Sequence, residues 1–112
     1  QKKVEEHLKL GKRHGLYLEW YENGQKKEET NYKDGKKEGV WTRWYEDGQK
    51  EYEGNYKNGK REGRHIRWYE DGQKKVEGNF KNGELEGLWT NYYKRKHNYK
   101  MEENYKDGER VR

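Results

Sequence analysis

Gly39-Val40-Trp41-Thr42-Arg43-Trp44-Tyr45-Glu46-Asp47-Gly48-Gln49-Lys50, continued by Glu51-Tyr52-Glu53-Gly54-Asn55-Tyr56-Lys57-Asn58-Gly59-Lys60, decides the fold. It contains two turn dipeptides, Asp47-Gly48 and Asn58-Gly59, separated by alternating aromatic and polar residues. Asx-Gly pairs suit a two-residue type I′ turn, which needs positive φ at both central residues. A turn so often leaves no room for a helix. Outward from this stretch the same pattern recurs every 24 residues. Trp44-Tyr45-Glu46 is preceded by Trp20-Tyr21-Glu22 and followed by Trp68-Tyr69-Glu70 and the decayed Tyr92-Tyr93-Lys94. Gly15, Gly39, Gly63 and Gly87 keep the spacing, as do Asn31-Tyr32, Asn55-Tyr56 and Asn79-Phe80, with Asn104-Tyr105 one residue late. A fixed period of this size marks a repeat array, in which each unit buries its surface only against its neighbours.

The turn glycines at 24, 35, 48, 59, 72 and 83 are spaced alternately 11 and 13 apart. The expected fold is all-β: a single-layer, twisted antiparallel meander of β-hairpins. A two-residue loop at Asp47-Gly48 predicts the pairs Tyr45–Lys50, Arg43–Tyr52 and Trp41–Gly54. A loop at Asn58-Gly59 predicts Tyr56–Arg61 and Gly54–Gly63. Both registers send the same residues to the same face. One face then carries Tyr17, Tyr21, Trp41, Tyr45, His65, Tyr69, Trp89 and Tyr93, with Tyr32, Tyr52, Tyr56, Val76, Phe80, Met101 and Tyr105 from the second strands. Lys26, Lys50, Lys74, Arg43 and Arg67 share it. The other face carries Trp20, Trp44, Trp68 and Tyr92, with Glu51, Glu53 and Glu77. The first face, richer in rings, is the expected inner and concave one. An indole lying across the glycine opposite it, Trp41 on Gly54, is the expected packing device.

Composition alone suggests disorder: charged residues make up 44%, and Leu, Ile, Val and Phe together number only 12. Eleven Tyr and five Trp oppose that reading, because disordered chains are poor in aromatics. The array divides into a partial repeat 1–14, full repeats 15–38, 39–62 and 63–86, and a divergent last repeat 87–112. In the last one Arg95-Lys96-His97 replaces the dipeptide turn and Glu103 replaces the repeat glycine. Gln1 aligns with Gln73, and Arg112 follows the turn Asp107-Gly108, so a piece of a longer array, or a mature or trimmed product, is expected. The absence of cysteine excludes disulfides and thiolate metal sites. It fixes no compartment; cytoplasm is the default expectation, and a signal would precede Gln1.

The unit 39–60 resembles the MORN repeat, and is most similar to its bacterial variant. The resemblance covers almost the whole chain. It implies an elongated, twisted antiparallel sheet with a groove, and a role in protein contacts, dimerisation or anionic phospholipid binding. Members of the variant family include proteins named as antitoxin components of toxin–antitoxin modules.

Catalysis finds no support in the residues. The chain has no Ser and no Cys, so the usual nucleophile triads are absent. His7, His14, His65 and His97 lack metal-ligand spacing, and no cofactor is expected. His65 stands where other repeats carry Trp, so its expected role is to fill an aromatic slot. The residues expected to touch a partner are Tyr21, Arg43, Tyr45, Arg67, Tyr69 and Tyr93, since exposed rings beside Arg are typical of interface hot spots. The expected partner is a protein, in the antitoxin version a toxin whose active surface the array occludes. Alternatives are a homodimerising scaffold, an anionic-lipid binder and a nucleic-acid binder.

Overall fold

The structure, a computed structural model, describes residues 3–94 and 99–111. The expected turn at Arg95-Lys96-His97 lies outside them. The strands in chain order are β1 (Val4–Glu5), β2 (Leu8–Lys9), β3 (Lys12–Arg13), β4 (Gly15–Trp20), β5 (Lys26–Lys33), β6 (Lys36–Lys37) and β7 (Gly39–Trp44). They continue with β8 (Lys50–Lys57), β9 (Lys60–Trp68), β10 (Lys74–Lys81), β11 (Glu84–Leu85), β12 (Gly87–Tyr93), β13 (Tyr99–Lys106) and β14 (Glu109–Val111). One antiparallel sheet runs β1-β4-β5-β7-β8-β9-β10-β12-β13-β14, with β6 on β5 and β11 on β10; β2 and β3 form a separate small hairpin. The extents of 47 × 33 × 12 Å leave room for one layer, since stacked sheets alone are about 10 Å apart before their outer side chains are added. The expected single-layer meander is what forms.

The Asx-Gly dipeptides make two different turns. Asp34, Asn58, Asn82 and Asp107 have φ of 51–53°, and the glycine after each is also positive. These are the expected two-residue turns, as the pairs Lys33–Lys36 and Lys57–Lys60 show. At Asn23-Gly24, Asp47-Gly48 and Asp71-Gly72 only the glycine has positive φ. There Gly48 N–H donates to Tyr45 O at 3.0 Å and Tyr45 N–H to Gln49 O at 2.8 Å. The loop is therefore three residues, a turn ending in a left-handed glycine. The Asp47 carboxylate accepts from Gln49 N–H at 3.0 Å, a local bond that holds this shape.

The expected Tyr45–Lys50 pair is thus not formed; Lys50 pairs with Trp44 instead. A register shift follows at once, and Glu51 is the extra residue, so Arg43–Tyr52 and Trp41–Gly54 pair as expected. The bulge moves side chains between faces. Lys26, Lys50 and Lys74 pair with Trp20, Trp44 and Trp68 and leave the tyrosine face. Glu51 joins that face beside Arg43, at 3.8 Å.

The expected Gly54–Gly63 pair is also replaced. Asn55 pairs with Glu62 but Gly54 with His65, so Gly63 and Arg64 are extra. The kink sits at Gly63, whose φ is +74°. A shift of two residues preserves the faces, which is why the expected faces hold for the ring-bearing positions. It also changes what covers the glycine. A Cβ on Gly54 would lie 2.1 Å from the His65 ring, and one on Gly78 would lie 2.3 Å from Trp89. The ring over Gly54 is His65, not Trp41.

The core is a row of rings on the expected inner face. Tyr52, Tyr56, His65 and Phe80 are buried. Contacts run from Trp41 to Tyr52 (4.9 Å between centroids) and from His65 to Tyr52, Tyr56 and Phe80, then from Phe80 to Trp89. The Trp41 indole N–H donates to Glu28 at 2.6 Å, and the Lys37 ammonium sits 3.4 Å from its ring centre.

Candidate functional site: a tyrosine–arginine row

Each three-residue loop is preceded by a tyrosine, and each tyrosine reaches into the next repeat. The Tyr21 hydroxyl donates to Trp44 O at 2.7 Å, Tyr45 to Trp68 O at 2.7 Å, and Tyr69 to Tyr92 O at 2.8 Å. The hydroxyls are therefore fixed within the array, while the rings remain half-exposed. Burial first, then the nearby Glu51 carboxylate, push the Tyr21 and Tyr45 hydroxyls above their ordinary pKa, so they stay protonated donors. Arg43 lies beside Glu51, and its Nε is buried without a hydrogen-bond partner. The Arg67 guanidinium lies 4.7 Å from the Tyr52 ring centre. Lys94 sits 5.0 Å from the Tyr69 ring centre. Tyr93 stacks on Tyr99 at 5.0 Å, with the rings 21° from parallel. Alternation along the strands thus sets Tyr21, Arg43, Tyr45, Arg67 and Tyr69 in one row, with Tyr93 at its end.

His65 is not part of that row. Its Nε2 lies 2.8 Å from Asn55 O, a carbonyl that only accepts, so Nε2 carries the hydrogen. Nδ1 then accepts from the Tyr52 hydroxyl. Burial, reinforced by Arg61 and Arg67, holds the imidazole below its usual pKa. A base whose pKa is lower when folded takes up its proton first in the unfolded chain. Its neutral form therefore supports the fold above the unfolded value of about 6.5, and that support is lost as pH falls below it. The thermal midpoint is expected to drop between pH 7 and 5.5. In His65→Trp, which restores the residue of the neighbouring repeats, the drop should shrink; an equal drop in both proteins would show that other groups cause it.

Two features escaped the sequence reading. The first is a set of clefts on the Trp face. Gln25, Lys26, Trp44 and Gly48 line one of about 190 Å³. Gln49, Lys50, Trp68 and Gly72 line an equivalent one of about 310 Å³. The recurrence of Gln25, Gln49 and Gln73 was the available signal. The second is an edge of lysines at the two-residue turns. Lys9, Lys12, Lys33, Lys36, Lys57, Lys60 and Lys81 are exposed and form no ion pairs among the described residues. Lys9–Lys12, Lys33–Lys36 and Lys57–Lys60 are direct cross-strand pairs, which cost stability. Among the described residues, no three of His, Cys, Asp or Glu converge as a metal site.

A hairpin array with a periodic aromatic surface is a repeat module of the kind that presents an extended face to a ligand. A family model for the MORN repeat variant matches residues 13–34, 37–58 and 61–82, and the chain belongs to that family. Repeats of this kind are generally non-enzymatic modules that bind proteins or membranes. No curated protein matches the chain.

Proposed function

We propose that this chain is a non-enzymatic protein-binding module and that Tyr21, Arg43, Tyr45, Arg67, Tyr69 and Tyr93 contact the partner. The observation that carries this reading is the hydroxyl ladder. It fixes successive rings across repeats, so little side-chain entropy is left to lose on binding. In its most concrete form, drawn from the resemblance, the module is an antitoxin and the partner a toxin whose working surface it occludes. Arg43→Ala with Arg67→Ala tests the row without touching the ladder. A loss of partner affinity of about tenfold or more, with an unchanged melting curve, is expected for hot-spot arginines. Unchanged affinity removes the row from the interface.

The lysine edge favours a second reading, in which the array also meets an anionic surface. Cosedimentation with phosphatidylserine vesicles that disappears in high salt, and in Lys33→Glu with Lys57→Glu, is its expected signature. Equal sedimentation of that variant would exclude the edge.

A further inference from the structure

The Trp face repeats its chemistry in step with the strands. Trp20 pairs with Lys26, Trp44 with Lys50, Trp68 with Lys74 and Tyr92 with Lys100. The Lys26 ammonium also lies 5.8 Å from the Trp44 ring centre, so a lysine stem separates successive indoles. Beside the Trp44 and Trp68 indoles open the two clefts, each lined by one indole, the lysine and glutamine of the preceding repeat and the glycine of a three-residue loop. The lysines are not free to hold an anion. Lys26–Glu29 and Lys50–Glu53 are ion pairs of 2.7 Å, and Lys74–Glu77 is one of 3.2 Å. The loops whose glycines line the clefts are acidic: Glu46, Asp47, Glu70 and Asp71 occupy them, with no Lys or Arg, and of these Asp71 is paired to Lys94. Glu46 and Glu70 make no ion pair among the described residues. The indole N–H groups of Trp44 and Trp68 likewise have no acceptor there, whereas that of Trp41 is bonded to Glu28.

Spacing selects the ligand. Each repeat advances two strands, roughly 9.5 Å at about 4.8 Å per strand. A polyproline II helix repeats every three residues, about 9.3 Å. An extended strand repeats about every 6.7 Å and an α-helix every 5.4 Å, and neither keeps step. Proline rings stack on flat aromatic faces, and the free carbonyls of that helix accept from indole N–H groups.

We propose that the Trp44–Trp68 clefts dock a proline-rich polypeptide in the polyproline II conformation, with its basic flank on the acidic loops. The Trp44 and Trp68 clefts share no lining residue with the tyrosine–arginine row, although the next cleft in register, lined by Gln73, Lys74 and Tyr92, also takes in Tyr93; the test is independent of that reading. The probe is a proline-rich peptide of about nine residues, three turns of the ligand helix, with arginines at one end. The control is the same peptide with every proline replaced by glycine. On titration followed by NMR, the indole N–H signals of Trp44 and Trp68 should move while those of Trp41 and Trp89 stay. The control should bind at least about tenfold more weakly, as should Trp44→Ala with Trp68→Ala. If that variant melts early, Trp68→His keeps a flat ring and an N–H while shrinking the platform, and an intermediate loss is expected. No movement of the Trp44 and Trp68 signals at millimolar peptide overturns the proposal. So does equal binding of the glycine control, which would mean charge alone, or loss of binding only in Arg43→Ala with Arg67→Ala.

Discussion

Gly54→Ala is expected to destabilise the array by about 3 kcal/mol, at the upper end for overpacking a filled site. The methyl would sit 2.1 Å from the His65 ring. The ring cannot swing aside cheaply, because one nitrogen is bonded to Asn55 O and the other to the Tyr52 hydroxyl. Moving it would leave buried polar groups unpaired. Gly54 lacks positive φ, so the cost is contact and not backbone strain. Gly24→Ala is the control: its Cβ would meet nothing within 4 Å, but φ is +88°. Only backbone strain of about 1 kcal/mol is expected there. Urea melts of Gly54→Ala, His65→Ala and the double variant decide the matter. The double should be more stable than the sum of the single effects predicts, because removing the ring removes the clash. Strict additivity would mean that the ring does not lie on Gly54.

Trp41→Ala is the second large effect, about 3 kcal/mol by the scale of aromatic truncations in packed sites. It removes ring contacts to Tyr52 and Tyr56, the seat of the Lys37 ammonium and the bond to Glu28. Trp44→Ala, three residues on and on the opposite face, should cost clearly less, since its indole N–H has no acceptor among the described residues and its ring meets only the Lys26 ammonium, 5.8 Å away. Comparable midpoints for the two variants would contradict the assignment of the core to the Tyr52–His65 face.

The glycine spacing and the alternation of rings made the sheet, its hairpins and its faces legible in the sequence. Glu51 and Gly63 were not legible as bulges. Asp47-Gly48 and Asn58-Gly59 present the same dipeptide chemistry, and only the three-residue loop with its compensating bulge tells them apart. The error at Asp47-Gly48 cancelled one residue later, so Arg43 and Trp41 kept their partners while Lys50 changed face. Gly63, Gly39 and Gly87, isolated inside strand patterns, were the sign of a kink. The six residues expected at the interface were chosen by ring type and strand end, and that choice carried no information about hydroxyl partners. The acceptors of Tyr21, Tyr45 and Tyr69 are backbone carbonyls, which no residue type reveals. The clefts at Trp44 and Trp68 lie on the face opposite the one richest in rings, and the residue types that line them do not announce a cleft.

A pull-down from native lysate at low and at roughly 0.5 M salt, where charge screening is nearly complete, shows whether the tyrosine–arginine row grips a protein. The wild-type array and Arg43→Ala with Arg67→Ala serve as parallel baits. One protein retained at both salts by the wild type and lost by the variant is the predicted result. Retention only at low salt, of lipid or nucleic acid and equally by both baits, would contradict it.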